Sequence, residues 1–246
     1  MILGNKHQRA MIQGRNPLIS LNGEVLERVA VAKNLGLYID EDLRFSEHLN
    51  IKIRNAFYKL KVLYGVRRFL TEKVRQILVE SLILSSFNYC DAIYGPRLLR
   101  KTENAIQRVQ NACTRFCYDL PRRSHITPVI NSHKILNMKS RRNLHLTMMI
   151  YRILHGKCPP YLYEKLHWQR DNDTRRVINK WKLATPKHKK AGFRGCFRFA
   201  AAKIWNDLPP PFRTCDNILG EIVFKHKLYN LYLSLQIEAA RFVYAK

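Results

Sequence analysis

The chain has 246 residues, with 44 Lys and Arg against 18 Asp and Glu, for a formal net charge of +26. At 46% hydrophobic and 11% aromatic it can bury a core, and its longest apolar stretch, Ile77–Ser86, is broken by Glu80 and falls far short of the ~20 residues a membrane span needs. The excess of cations points to a polyanionic partner, nucleic acid before an anionic membrane.

The opening segment MILGNKHQRAM has no signal-peptide apolar region, so an intracellular location, nuclear or cytoplasmic, is expected. Six scattered cysteines in such a chain read as reduced thiols. Residues 1–45 alternate short apolar runs with turn signals. Asn22-Gly23 is a hairpin cue, and Leu35-Gly36 opens the β-prone run LGLYID, so two or three antiparallel strands are predicted.

From Ser46, a candidate N-cap, the period becomes helical, with Leu49, Ile53, Ala56, Phe57, Leu60, Leu63 and Tyr64 on one face and Arg54, Lys59 and Lys61 off it. A second helix is predicted from Thr71 as cap toward Asn88, broken by Gly95-Pro96. Its end carries Tyr89-Cys90-Asp91-Ala92, one substitution from the Tyr-x-Asp-Asp turn of template-copying polymerases. Two-metal nucleotidyl transfer requires paired carboxylates, and Ala92 offers no oxygen, so the ordinary reading is the end of an apolar helix.

A third helix places Ile106, Val109, Ala112, Cys113 and Phe116 inward, with Arg100, Lys101, Arg108 and Arg115 as a basic flank, and ends by Pro121. Cys113, Cys117 and His125 have the start of a zinc spacing. Ile130 cannot complete it, so the site would need His133; core packing of the two cysteines is the competing and favoured reading. Arg122 and Arg123 follow on a loop. A fourth helix sets Leu144, Met148 and Tyr151 inward beside Arg141, Arg142 and Arg152, stopped by Gly156 and Pro159-Pro160. Residues 168–195 are polar, basic and nearly aperiodic, with Trp168, Trp181 and Phe193 interleaved. They fit either stacking on unpaired bases or a connector whose aromatic rings tuck onto the helices. An amphipathic helix then carries Phe197, Ala200, Ala201, Ile204, Trp205 and Leu208 and ends at three prolines, and a last helix starts near Gly220.

In order along the chain, KNLGLYIDEDLRFSEHL, LVESLILSSFNYCDAIYG, AIQRVQNACTRFCYDLPRRSHITP, RRNLHLTMMIYRILHGKCPPYL and FRFAAAKIWNDLPPPFR resemble the C-terminal part of reverse transcriptases from jockey-type non-LTR retrotransposons. The resemblance covers nearly the whole chain. It implies that residues 33–40, with Leu35 and Gly36 at their centre, match a primer-grip turn, that the following helices match a thumb, and that the catalytic aspartates and their Mg2+ belong to a palm that would precede this chain. No cofactor is expected here, and the resemblance brings no polymerase activity to this chain by itself.

The expected fold is mainly α, with a residual β element at 1–45, a thumb-like bundle at 46–120 and a basic helical region at 121–246. Residues 1–45 are expected to be least stable and to leave an open sheet edge. The expected partner is RNA or an RNA–DNA template-primer, held by Lys52, Arg54, Lys59, Lys61, Arg67, Arg68, Arg122, Arg123, Arg141 and Arg142; a separately encoded catalytic half is the other partner the resemblance allows. The alternative is a stand-alone basic helical interaction protein that binds an acidic protein.

Overall fold

The computed structural model describes residues 1–4, 6–15, 18–157, 159–169, 181–188, 191–213 and 220–244. The fold is mainly α, with small antiparallel sheets near the N-terminus. Those sheets are two separate hairpins. In the first, β1 (Ser20–Leu21) pairs with β2 (Glu24–Val25), and both central turn residues have positive φ, Asn22 at 52° and Gly23 at 85°, as a tight hairpin of matching twist requires. In the second, β3 (Val31–Asn34) pairs with β4 (Leu37–Asp40) in the register Val31↔Asp40 to Asn34↔Leu37. Its turn is Leu35 at φ 46° and Gly36 at φ 79°.

A helix precedes both hairpins where only strands and turns are predicted: α1 (Lys6–Gly14). It has little apolar periodicity to reveal it. Its anchor is tertiary, since the Arg9 guanidinium meets Glu41 and Asp42, the latter at 2.6 Å.

α2 (Ser46–Val66) begins one residue earlier than a Ser46 cap would place it, because Ser46 is itself helical. The capping function falls to Asp40, whose carboxylate accepts the backbone N–H groups of Arg44, Phe45 and Ser46 at 2.6, 3.1 and 2.8 Å. Leu49, Ala56, Leu60 and Leu63 are buried as predicted, but Phe57 and Tyr64 are 43% and 45% exposed. α3 (Glu72–Leu82) is capped by Thr71, whose hydroxyl accepts from Val74 N. It stops well before Asn88. The hydroxyls of Ser81 and Ser86 bond to the carbonyls of Ile77 and Ile83, both at 2.7 Å, competing with the helical ladder, and the chain continues as a 3-10 turn over Leu84–Phe87. Cys90, at φ 58°, then starts the short α4 (Asp91–Tyr94), so Tyr89 and Asp91 flank the start of a new helix rather than the end of an old one.

α5 (Arg100–Cys117) buries Ile106, Val109, Cys113, Phe116 and Cys117. After α6 (Thr127–Ser132), α7 (Met138–Gly156) runs through the middle of the molecule, and α8 (Pro160–Tyr163), α9 (Phe197–Asn206) and α10 (Glu221–Tyr244) follow. Two cores result. One gathers side chains from Leu37 to Met138 around Leu49, Ile83, Val109 and Phe116; the other gathers side chains from Leu136 to Leu233 around Ile150, Ala201, Trp205 and Leu228. The first turn of α7 joins them. Three glutamines strap the chain entering it: Gln110 Nε2 donates to Leu136 O at 2.7 Å, Gln107 Oε1 accepts from Met138 N, and Gln236 accepts from Asn137 N and donates to Ile135 O.

Candidate nucleic-acid interface

A 3.6-residue period puts Arg54, Phe57, Tyr58, Lys61 and Gly65 on one side of α2, opposite Leu49, Ala56, Leu60 and Leu63. All five are exposed, Tyr58 to 69%, and the ridge continues into exposed Arg68 in the 3-10 turn Arg67–Phe69 that follows. From Arg54 to Gly65 the ridge runs about 16 Å at 1.5 Å per residue. Among the described residues, the side chains of Arg54, Lys61 and Arg68 make no ion pair and no hydrogen bond; Arg68 lies over the Phe69 ring at 4.7 Å. Cations alternating with aromatic faces on one helix can meet phosphates and unpaired bases together. Sequence periodicity places Phe57 inward and does not single out Tyr58, although the spacing of Arg54, Tyr58 and Lys61 marks this face.

The remaining predicted cations divide by what holds them. Lys52 is half-buried with its ammonium 5.9 Å from the Tyr89 ring centre. Lys59 donates to Leu82 O at 2.9 Å, closing the end of α3. Arg67 bonds the carbonyls of Arg115 and Phe116 and pairs with Asp119 at 2.6 Å, and Arg75, which no sequence pattern singles out, joins the same cluster. These two guanidiniums satisfy the C-terminus of α5, where the helix dipole favours cations. Arg122 and Arg123 stand exposed on the turn after α5. Arg141 is held by Asn88 at 3.0 Å and by both oxygens of Glu80, and Arg142 is buried against Glu103 at 3.0 Å. Those two arginines join α7 to the first core.

Leu35 and Gly36 form the tip of the second hairpin, with Leu35 85% exposed. The Tyr89 hydroxyl donates to Leu35 O, and a Cβ on Gly36 would meet the Tyr89 ring at 3.8 Å. Asp91 is buried, with Oδ2 2.5 Å from His145 Nδ1. In the Tyr-Cys-Asp-Ala segment, then, the tyrosine braces a hairpin and the aspartate anchors α7.

Cys113 and Cys117 are buried in the first core, and burial raises their thiols to about 12 and about 11. The His133 ring lies tilted against Tyr118, ring centres 4.1 Å apart, and among the described residues no group of three or more His, Cys, Asp and Glu side chains could hold a metal ion. In the aperiodic stretch, Trp168 and Leu183 pair as an isolated antiparallel bridge, the Trp168 and Trp181 rings meet edge to face at 5.4 Å, and Trp205 Nε1 donates to Trp181 O at 3.0 Å. Trp168 thus packs on the second core and Trp181 is tied to it; residues 170–180 and 189–190 lie outside the described residues. Among the described residues no helix is long and apolar enough to cross a membrane.

In comparisons with known proteins, no family model, no curated protein and no solved structure matches the chain.

Proposed function

We propose that the protein binds RNA or an RNA–DNA duplex through the outward ridge of α2, without copying it, as the thumb of the reverse transcriptases that the sequence resembles would hold a template-primer. The observation that carries this reading is the ridge itself: Arg54, Lys61 and Arg68 exposed and without ion pairs among the described residues, interleaved with Phe57 and Tyr58, on a molecule of net charge +26. Such contacts go to phosphates and carry little sequence information, so affinity should be nearly uniform across sequences. The resemblance to jockey-type elements supports the same reading, and Mg2+ would belong to a catalytic palm supplied elsewhere. Changing Arg54, Lys61 and Arg68 together to Gln should weaken binding to unrelated duplexes alike; unchanged affinity would remove the ridge from the interface.

A second reading is a stand-alone interaction protein whose basic surface meets an acidic protein partner, with the first hairpin adding apolar contact area. Leu18, Ile19, Leu21, Val25 and Leu26 are all more than half exposed on and beside the first hairpin, an apolar surface suited to a protein partner. A tight acidic protein partner together with no affinity for nucleic acid would favour it.

A further inference from the structure

A cleft of about 710 Å³ opens where four stretches remote in sequence meet: Gly4 and Arg9, the turn Glu41–Arg44, Pro96–Arg97, and Gly192–Gly195. Four arginines line it, Arg9, Arg44, Arg97 and Arg194. The two acids in its wall, Glu41 and Asp42, are both held by Arg9, and the four arginines against two carboxylates leave the cleft with a formal charge of +2. Arg44 and Arg97 have no side-chain ion pair or hydrogen bond among the described residues. Arg194 donates Nε to His188 Nε2 at 3.0 Å, and His188 is itself braced by Phe193 and Phe199. That bond orients the guanidinium and leaves its terminal nitrogens open.

The approach is close by construction. A Cβ on Gly195 would lie 2.6 Å from Arg97 Cγ, so only a glycine lets the 191–195 turn sit on the Arg97 stem. Arg44, Arg97 and Arg194 line one cleft without a carboxylate partner among the described residues, and an anion between them would offset their like charge. Their planar forks match the oxygens of a phosphate.

We propose that this cleft is a phosphate site in which Arg44, Arg97 and Arg194 bind a phosphate or diphosphate anion, either free or as the end of a nucleic-acid strand. It is separate from the α2 ridge, and it stands or falls independently of duplex binding. The test uses the full chain with inorganic pyrophosphate, titrated calorimetrically at fixed ionic strength. The wild type should show one saturable site, and the double variant Arg44→Gln/Arg194→Gln should bind about tenfold or more weakly, since two of the three guanidiniums without a carboxylate partner are lost. Both side chains are exposed, so the melting temperature should stay within about a degree or two of wild type. The Arg54→Gln/Lys61→Gln/Arg68→Gln variant should bind pyrophosphate normally. Absence of wild-type binding at millimolar pyrophosphate, or equal binding by the double variant, would overturn the proposal. A strand carrying a 5′-phosphate that binds more tightly than its 5′-hydroxyl counterpart, with the advantage lost in the double variant, identifies the strand end as the source. Pyrophosphate binding with no such advantage identifies free phosphate.

Discussion

His48 is a buried side chain whose protonation opposes the fold. Its Nδ1 accepts Tyr38 N at 3.4 Å, its Nε2 is buried without a hydrogen-bond partner among the described residues, and its ring lies beside those of Tyr38 and Tyr94. Burial, and then the nearby Lys52 ammonium, lower its pKa, and burial does the same for His155. Both rings are therefore neutral in the fold and take up a proton in the unfolded chain near pH 6.5, so stability present above that value is lost as the pH falls below it. The melting temperature should drop between about pH 7.5 and 5.5, and His48→Gln should flatten part of that drop; a pH-independent melting temperature would contradict it. Tyr58 is the matching test on the surface. Tyr58→Ala should weaken binding of a strand with unpaired bases by about tenfold, one stacked base being worth about 1–3 kcal/mol, while leaving a fully paired duplex unaffected. What sequence leaves open at this scale is direction. Phe57 has the hydropathy of a core residue and faces water, whereas Arg142 has the charge of a surface residue and is buried against Glu103, and neither outcome is set by residue type.

At the scale of elements, helices with strong 3.6-residue patterns were legible. α5 buries Ile106, Val109, Cys113 and Phe116 as its spacing predicts, α7 buries Leu144, Met148 and Tyr151 but Arg142 as well, and α9 buries Ala201 and Trp205 while Phe197, Ala200 and Ile204 are partly buried against the second core; Thr71 caps α3 as its position before the helix suggests. α1 was not legible, because its support is an ion-pair contact with residues more than thirty positions away, and neither was the Asp40 cap, which reaches α2 from a strand. The glutamine straps are equally long-range. Gln110→Leu should leave the Leu136 carbonyl without its donor and lower stability by about 1–3 kcal/mol in a denaturant titration; no loss would show that the carbonyl finds another partner. The first hairpin has exposed residues on both strands and pairs over only Ser20–Val25. Its amides should exchange well before those of α2 and α5, and strong protection there would contradict the picture of an element held by little burial.

Among the described residues two cores meet along α7, joined by two ion pairs and by hydrogen bonds. Arg141 meets Glu80, Arg142 meets Glu103, and His145 meets Asp91, three contacts from the first two turns of one helix into the first core, while the following turns of α7 bury Leu146, Ile150, Ile153 and Leu154 in the second. This arrangement uses Arg141 and Arg142 for assembly and leaves Arg54 and Lys61 of α2, Arg68 beyond it, and Arg122 and Arg123 of the turn after α5, facing outward. Nucleic-acid binding by that outward charge is tested most directly by the salt dependence of affinity for a short RNA–DNA duplex. Affinity should fall steeply on a log–log plot, and the Arg54→Gln/Lys61→Gln/Arg68→Gln variant should have a shallower slope, by up to about 0.9 for each phosphate contact removed. No binding at low salt, or an unchanged slope in the variant, would contradict it.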